Sequence, residues 1–107
     1  MLQVNIRSWT ANKYTFLVDI SNYNPDIILL NETSAFNNSI KVNGYYIIQS
    51  CKERFSGVAI LIKLGLNFNI LPTRDENTLA VKVMTSISPI IISTSYIPPR
   101  LQQTFRL

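Results

Sequence analysis

Asp26-Ile27-Ile28-Leu29-Leu30-Asn31-Glu32-Thr33 is the stretch whose reading decides the fold. Four large aliphatics in a row after Pro25 describe a strand buried on both faces, as in α/β sheets covered on each side. Such sheets place their ligands beyond the carboxyl ends of their strands. Glu32 therefore stands where a site residue belongs. Working outward, Leu2-Gln3-Val4-Asn5-Ile6 is a second apolar run, interrupted near its end by an uncharged amide. Between the two, Thr10 to Tyr23 carries apolar residues at helical spacing, with Ala11, Tyr14, Leu17 and Val18 on one side and Phe16, Ile20 and Tyr23 on another. Thr10 is placed to cap the start, and Pro25 forces Asn24 out of helical geometry. Strand, helix, strand is a βαβ unit whose right-handed crossover sets the two strands parallel. If they are neighbours, Asn5 and Glu32 converge.

After this unit the chain changes character. Tyr45 to Gln49, Val58 to Lys63, Phe68 to Leu71, Leu79 to Met84 and Ile90 to Tyr96 are short β-rich runs separated by Asn-Gly, Ser-Gly, Pro-Thr-Arg-Asp and Ser-Pro turns. They read as a mostly antiparallel meander. Leu79, Val81 and Val83 alternate with Ala80, Lys82 and Met84, as a half-buried strand requires. The 107 residues have room for one core. Apolar residues make up 47% and charged ones 15%, a balance that calls for buried strands or for apolar surface seeking a partner. Ten Lys and Arg against six Asp and Glu give a net charge of +4, which favours a polyanion without forming a dense basic tract. No apolar stretch approaches the ~20 residues of a membrane span, so no membrane partner is expected. The single Cys51 cannot pair within the chain and no secretory leader opens it, which points to an intracellular setting.

Asn5, Glu32 and the run Ser93-Thr94-Ser95-Tyr96-Ile97-Pro98-Pro99 lie at or beyond the ends of these strands. They can put an amide, a carboxylate, small hydroxyls and a phenol around one rim. Such a rim suits phosphoryl chemistry, because Mg²⁺ wants oxygen ligands and needs only one or two protein carboxylates. Glu32 would supply the anionic oxygen, Asn5 a neutral ligand, and Tyr96 a donor to a phosphate oxygen on which charge builds. The plainer readings remain: a turn-capping amide at Asn5, and at Tyr96 a core aromatic with its hydroxyl at the edge.

Leu2 to Ser8, Asn24 to Thr33, Gly57-Val58-Ala59-Ile60-Leu61-Ile62-Lys63 and Ser95-Tyr96-Ile97-Pro98-Pro99 resemble, in the same order, the opening blocks of the endonuclease domain of non-LTR retrotransposons. That domain belongs to the endonuclease/exonuclease/phosphatase superfamily, with apurinic/apyrimidinic endonucleases and DNase I. The resemblance implies the N-terminal half of a four-layer α/β/β/α sandwich, one mixed sheet with a βαβ start followed by a mostly antiparallel meander. It also implies Mg²⁺-dependent (or Mn²⁺-dependent) nicking of DNA in a parent element whose site of action would be nuclear. By position, Asn5 matches the first-strand amide, Glu32 the metal-binding glutamate and Tyr96 the aromatic near the scissile phosphate. Arg7 stands where DNA-repair relatives carry an aspartate, which weighs against a repair enzyme.

The blocks that continue this family, a Gly-Asp-Phe-Asn-like strand end and a later Asp-His pair, do not occur, and the chain has no histidine. The expectation is a truncated domain spanning residues 1–107, inactive or nearly so by itself, since each missing acid, base or donor is worth roughly two to four orders of magnitude in rate. A first-half fragment should also leave one sheet face uncovered, to be met by the missing half or by a second copy. Arg7, Arg54 in the charged Lys52-Glu53-Arg54 loop, and Arg100 are candidate DNA contacts, although short charged loops are commonly only solvated. Two rivals stand beside the nuclease: another phosphodiesterase or phosphatase of the superfamily, acting on phosphoinositide, sphingomyelin or RNA, and a non-catalytic remnant or binding module.

Overall fold

The computed structural model describes residues 1–36, 39–52 and 56–97. In chain order they form β1 (Leu2–Asn5), α1 (Trp9–Tyr23), β2 (Ile27–Asn31), β3 (Tyr45–Ser50), β4 (Val58–Lys63), β5 (Phe68–Leu71), β6 (Thr78–Met84) and β7 (Pro89–Ser95). The first four strands make a mixed sheet in the order β1-β2-β4-β3, and the last three an antiparallel sheet in the order β5-β6-β7. The βαβ start is present as read: β1 and β2 are parallel, with Leu2 opposite Ile28 and Asn5 opposite Asn31.

Alternation along the mixed sheet sorts its side chains into two cores. Ile28, Leu30, Ala59 and Leu61 face α1 and pack with Trp9, Phe16 and Ile20, while Leu29, Ile48, Ile60 and Ile62 face the other way. Burial is close to complete for Ile28, Leu30, Ile60, Leu61 and Ile62, and each such side chain contributes about 1.5–3 kcal/mol. The helix differs from expectation in its cap, and the structure decides which of its two apolar sides is buried. Ser8, not Thr10, is the N-cap, its hydroxyl accepting from the Ala11 amide at 3.3 Å. Ala11, Tyr14 and Val18 are exposed, because the βαβ crossover turns the Trp9, Phe16 and Ile20 stripe onto the sheet. At the other end Asn24 takes the left-handed cap (φ 46°), a conformation asparagine tolerates at helix ends, and the following proline disfavours continuing the helix.

The meander does not continue the first sheet. Its last three strands form a sheet of their own, which packs face to face on the first through Phe68, Leu79, Val81, Val83 and Ile92. The alternating apolar residues of β6 and β7 cover the part of the first sheet formed by β2, β4 and β3, so the uncovered face expected of a first-half fragment is not the inner face of these strands. Among the described residues nothing packs on the outer face of β5 to β7, where Ile91 is 68% exposed and Met84 45%. This second sheet lies across β2, β4 and β3 and does not reach β1. Gln3 and Asn5, on the inner face of β1, are therefore left exposed.

At the end of the sandwich opposite these residues, the Tyr45 hydroxyl donates to the Pro25 carbonyl. Burial, reinforced by the Asp26 carboxylate, raises the Tyr45 phenol above its ordinary pKa of 10. The folded state thus prefers the neutral phenol, a preference fully present below that value and lost as pH rises through the raised one. Tyr45→Phe should cost about 1 kcal/mol at neutral pH. It should also give a shallower loss of stability than the parent chain in denaturant titrations above pH 10.

Candidate active site

Parity places the site. Gln3 and Asn5 on β1 and Asn31 on β2 point to the same face, and the next residue, Glu32, leaves the sheet beside them. β7 crosses this end of the mixed sheet from the other layer, which carries Ser95, Tyr96 and Ile97 to the same place. Gln3, Asn5, Asn31, Glu32, Ser95, Tyr96 and Ile97 line one cleft of about 480 Å³. Of the residues singled out in the sequence, Asn5, Glu32 and Tyr96 meet in this cleft.

Glu32 is held there by backbone. Its φ of 56° lies in the left-handed region, which costs a non-glycine residue roughly 1 kcal/mol or more. The turn is fastened on both sides. Glu32 O accepts from the Ser8 amide at 2.8 Å, Thr33 O from the Trp9 amide at 2.8 Å, and the Thr33 and Ser34 amides donate to Gly57 O and Ser56 O at 3.3 and 2.7 Å. Arg7 (52°), Ser8 (102°) and Ser34 (49°) also have positive φ. Among the described residues, four of the five non-glycine residues in this conformation thus cluster at one end of the sheet, Asn24 being the fifth. Strain so concentrated is characteristic of sites that the surrounding structure over-determines.

Gly57 makes the fastening possible. A Cβ at this position would run into Thr33 Oγ1 and come within 3.2 Å of Cys51 Sγ, and its φ of 109° suits glycine alone. Cys51 therefore packs under the turn, and its thiol lies 3.7 Å from the Ser56 carbonyl.

The β5–β6 loop is tied to the ends of β3 and β7. The Ser50 hydroxyl donates to Glu76 O at 2.7 Å and the Tyr96 amide to Asn77 O at 2.8 Å. Asn77 Oδ1 is buried there without a hydrogen-bond partner. Arg7 is exposed just beyond β1, while Arg54, Arg100 and the Pro98-Pro99 block lie outside the described residues.

The cleft's donors suit a hard divalent cation: a carboxylate and an amide oxygen, no imidazole or thiolate, and room for several waters. Among the described residues no three His, Cys, Asp or Glu side chains gather into a metal-binding group. Any cation here would rest on Glu32 and Asn5 and take its remaining oxygens from water and substrate. Sequence reading missed Asn31, whose signal was its even spacing with Leu29 and Ile27 on the inter-sheet face, and Gln3, whose signal was its spacing of two from Asn5.

No family model matches this sequence, and no curated protein does. Solved structures with the same fold include the endonuclease domain of TRAS1, a telomere-specific non-LTR retrotransposon, at a TM-score of 0.72 and 16% identity over 92% of this chain and 46% of that one. An AP endonuclease from Archaeoglobus fulgidus superposes at 0.63 with 20% identity over 91% and 40% of the two chains. AP endonuclease LMAP from Leishmania major does so at 0.69 with 17% identity over 90% and 39%. At these identities the likeness is one of fold. The chain spans less than half the length of each of these structures.

Proposed function

We propose that this chain is the N-terminal part of a metal-dependent DNA endonuclease domain of the retrotransposon type, hydrolysing a phosphodiester bond to nick its target. The observation that carries this reading is the meeting of Asn5, Glu32 and Tyr96, drawn from three strand ends and two sheets, in one cleft. A fold shared with two kinds of endonuclease supports the reaction class. In this proposal Glu32 and Asn5 hold Mg²⁺ or Mn²⁺, Tyr96 donates to a phosphate oxygen, and Arg7 contacts the DNA backbone. The cation, when bound, neutralises charge on the phosphoryl group and makes water a better nucleophile at neutral pH. The left-handed turn fixes the backbone of Glu32 at the cleft, and Asn5 adds a ligand without adding charge.

The chemistry that the described residues do not supply, an acid or base of suitable pKa, is assigned to the other half of the domain, acting in the nucleus of the host cell. The outer face of β5 to β7, with Ile91 and Met84 exposed, is the surface left for that half or for a second copy. The chain is to be expressed together with the sequence its source encodes beyond Leu107 and incubated with supercoiled plasmid and Mg²⁺. Nicked circles that disappear on chelation support the reading. A completed domain that folds but never nicks, under any divalent cation, points to a non-catalytic remnant.

A further inference from the structure

Asn5 and Glu32 sit on neighbouring strands of one sheet, whereas Tyr96 follows the last strand of the other. Apolar packing between the sheets gives out before this rim. After Leu29 on β2 and Ile92 on β7, the next residues on the facing sides are Asn31 and Thr94. Here the layers are joined by side-chain hydrogen bonds. Asn31 Nδ2 donates to the Ser95 carbonyl at 2.7 Å, and Asn31 Oδ1 accepts from the Thr94 hydroxyl at 3.4 Å, with Thr94 only 6% exposed. Both ends of one amide are thus used on two successive residues of β7, and the second of them precedes Tyr96.

We propose that Asn31 is a positioning residue that ties the end of β7 to β2 and so sets Tyr96 against the rim formed by Asn5 and Glu32. Its functional consequence rests on the nuclease reading above, while the tether itself does not. Asn31 acts on the site through Tyr96 and leaves the oxygens of Glu32 and Asn5 free for a cation. An isosteric leucine would leave the Ser95 carbonyl and the Thr94 hydroxyl without these bonds. An aspartate would keep the size and set a carboxylate oxygen against that carbonyl.

The test uses the isotopically labelled full chain, followed by NMR. Asn31→Leu and Asn31→Asp are each expected to speed hydrogen exchange of the Tyr96 amide, which donates to Asn77 O, about tenfold. Exchange of the Ile6 amide, which donates to the Asn31 carbonyl, should stay unchanged and report an intact first sheet. Added Mn²⁺ should broaden the Asn5 side-chain amide and the Tyr96 ring in the parent chain. In Asn31→Leu it should still broaden Asn5 at the same concentration and affect Tyr96 less. Unaltered Tyr96 exchange in both variants, with the Ile6 amide still protected, overturns the tether. If Tyr96 exchange responds but Mn²⁺ broadens neither residue in the parent chain, the tether stands and the cation site falls.

Discussion

Gly57→Ala is expected to destabilise the fold by about 3 kcal/mol, since it combines left-handed strain with a steric clash in a packed interior. Gly57 is buried at the start of β4, and its missing Cβ leaves the space that Thr33 Oγ1 occupies. Thr33 is itself 1% exposed and cannot retreat toward solvent. Gly44 and Gly65 provide the controls. Both have positive φ (88° and 100°), yet a Cβ at either would meet nothing within 4 Å. Their alanine variants should lose only the conformational part, about 1 kcal/mol. Denaturant midpoints of the three variants measure the difference, and equal losses would refute the clash. Because Thr33 follows Glu32 and its amide donates to Gly57 O, movement forced at Gly57 is passed directly to the carboxylate.

Glu32→Gln should leave the unfolding midpoint nearly unchanged and remove nicking by the completed domain. A cation contributes several kcal/mol to phosphoryl transfer, so on the proposed reading losing the one anionic ligand that the described residues offer is worth about a thousandfold in rate. A second substitution sharpens the test. Glycine accepts the φ of 56° at position 32 without strain, so Glu32→Gly should be as stable as the parent or more stable, by up to about 1 kcal/mol, and equally inactive. That pairing, stability kept or gained with function lost, separates a site carboxylate from a solvated strand end. A destabilised Glu32→Gly, or plasmid nicking that survives Glu32→Gln, would remove Glu32 from the site.

The strands were legible because their signals are local. Four aliphatics at Ile27 to Leu30, the alternation at Leu79 to Val83 and the Gly and Pro punctuation place every strand to within about two residues. The convergence of Asn5 with Glu32 followed from the βαβ rule alone. Sheet membership was not legible, because period-two alternation says which side chains are buried and not which layer they meet. The buried face of α1 was left open for a related reason: Tyr14 and Val18 are as apolar as Leu17, and only the direction of the crossover decides which side faces the sheet. The left-handed turn at Glu32 left no trace in sequence, since glutamate gives no hint of that conformation. Its one sign was at a distance, in Gly57. Asn31 escaped for the opposite reason, its neighbour Glu32 being the more eye-catching polar residue.

Among the described residues the order β1-β2-β4-β3 leaves Leu2 to Asn5 paired on one side only, with a row of backbone donors and acceptors that a further strand could meet. A segment added along that margin would run beside Asn5, so that whatever extends the sheet also becomes a wall of the cleft. Enlarging the sheet and finishing the pocket would then be a single event.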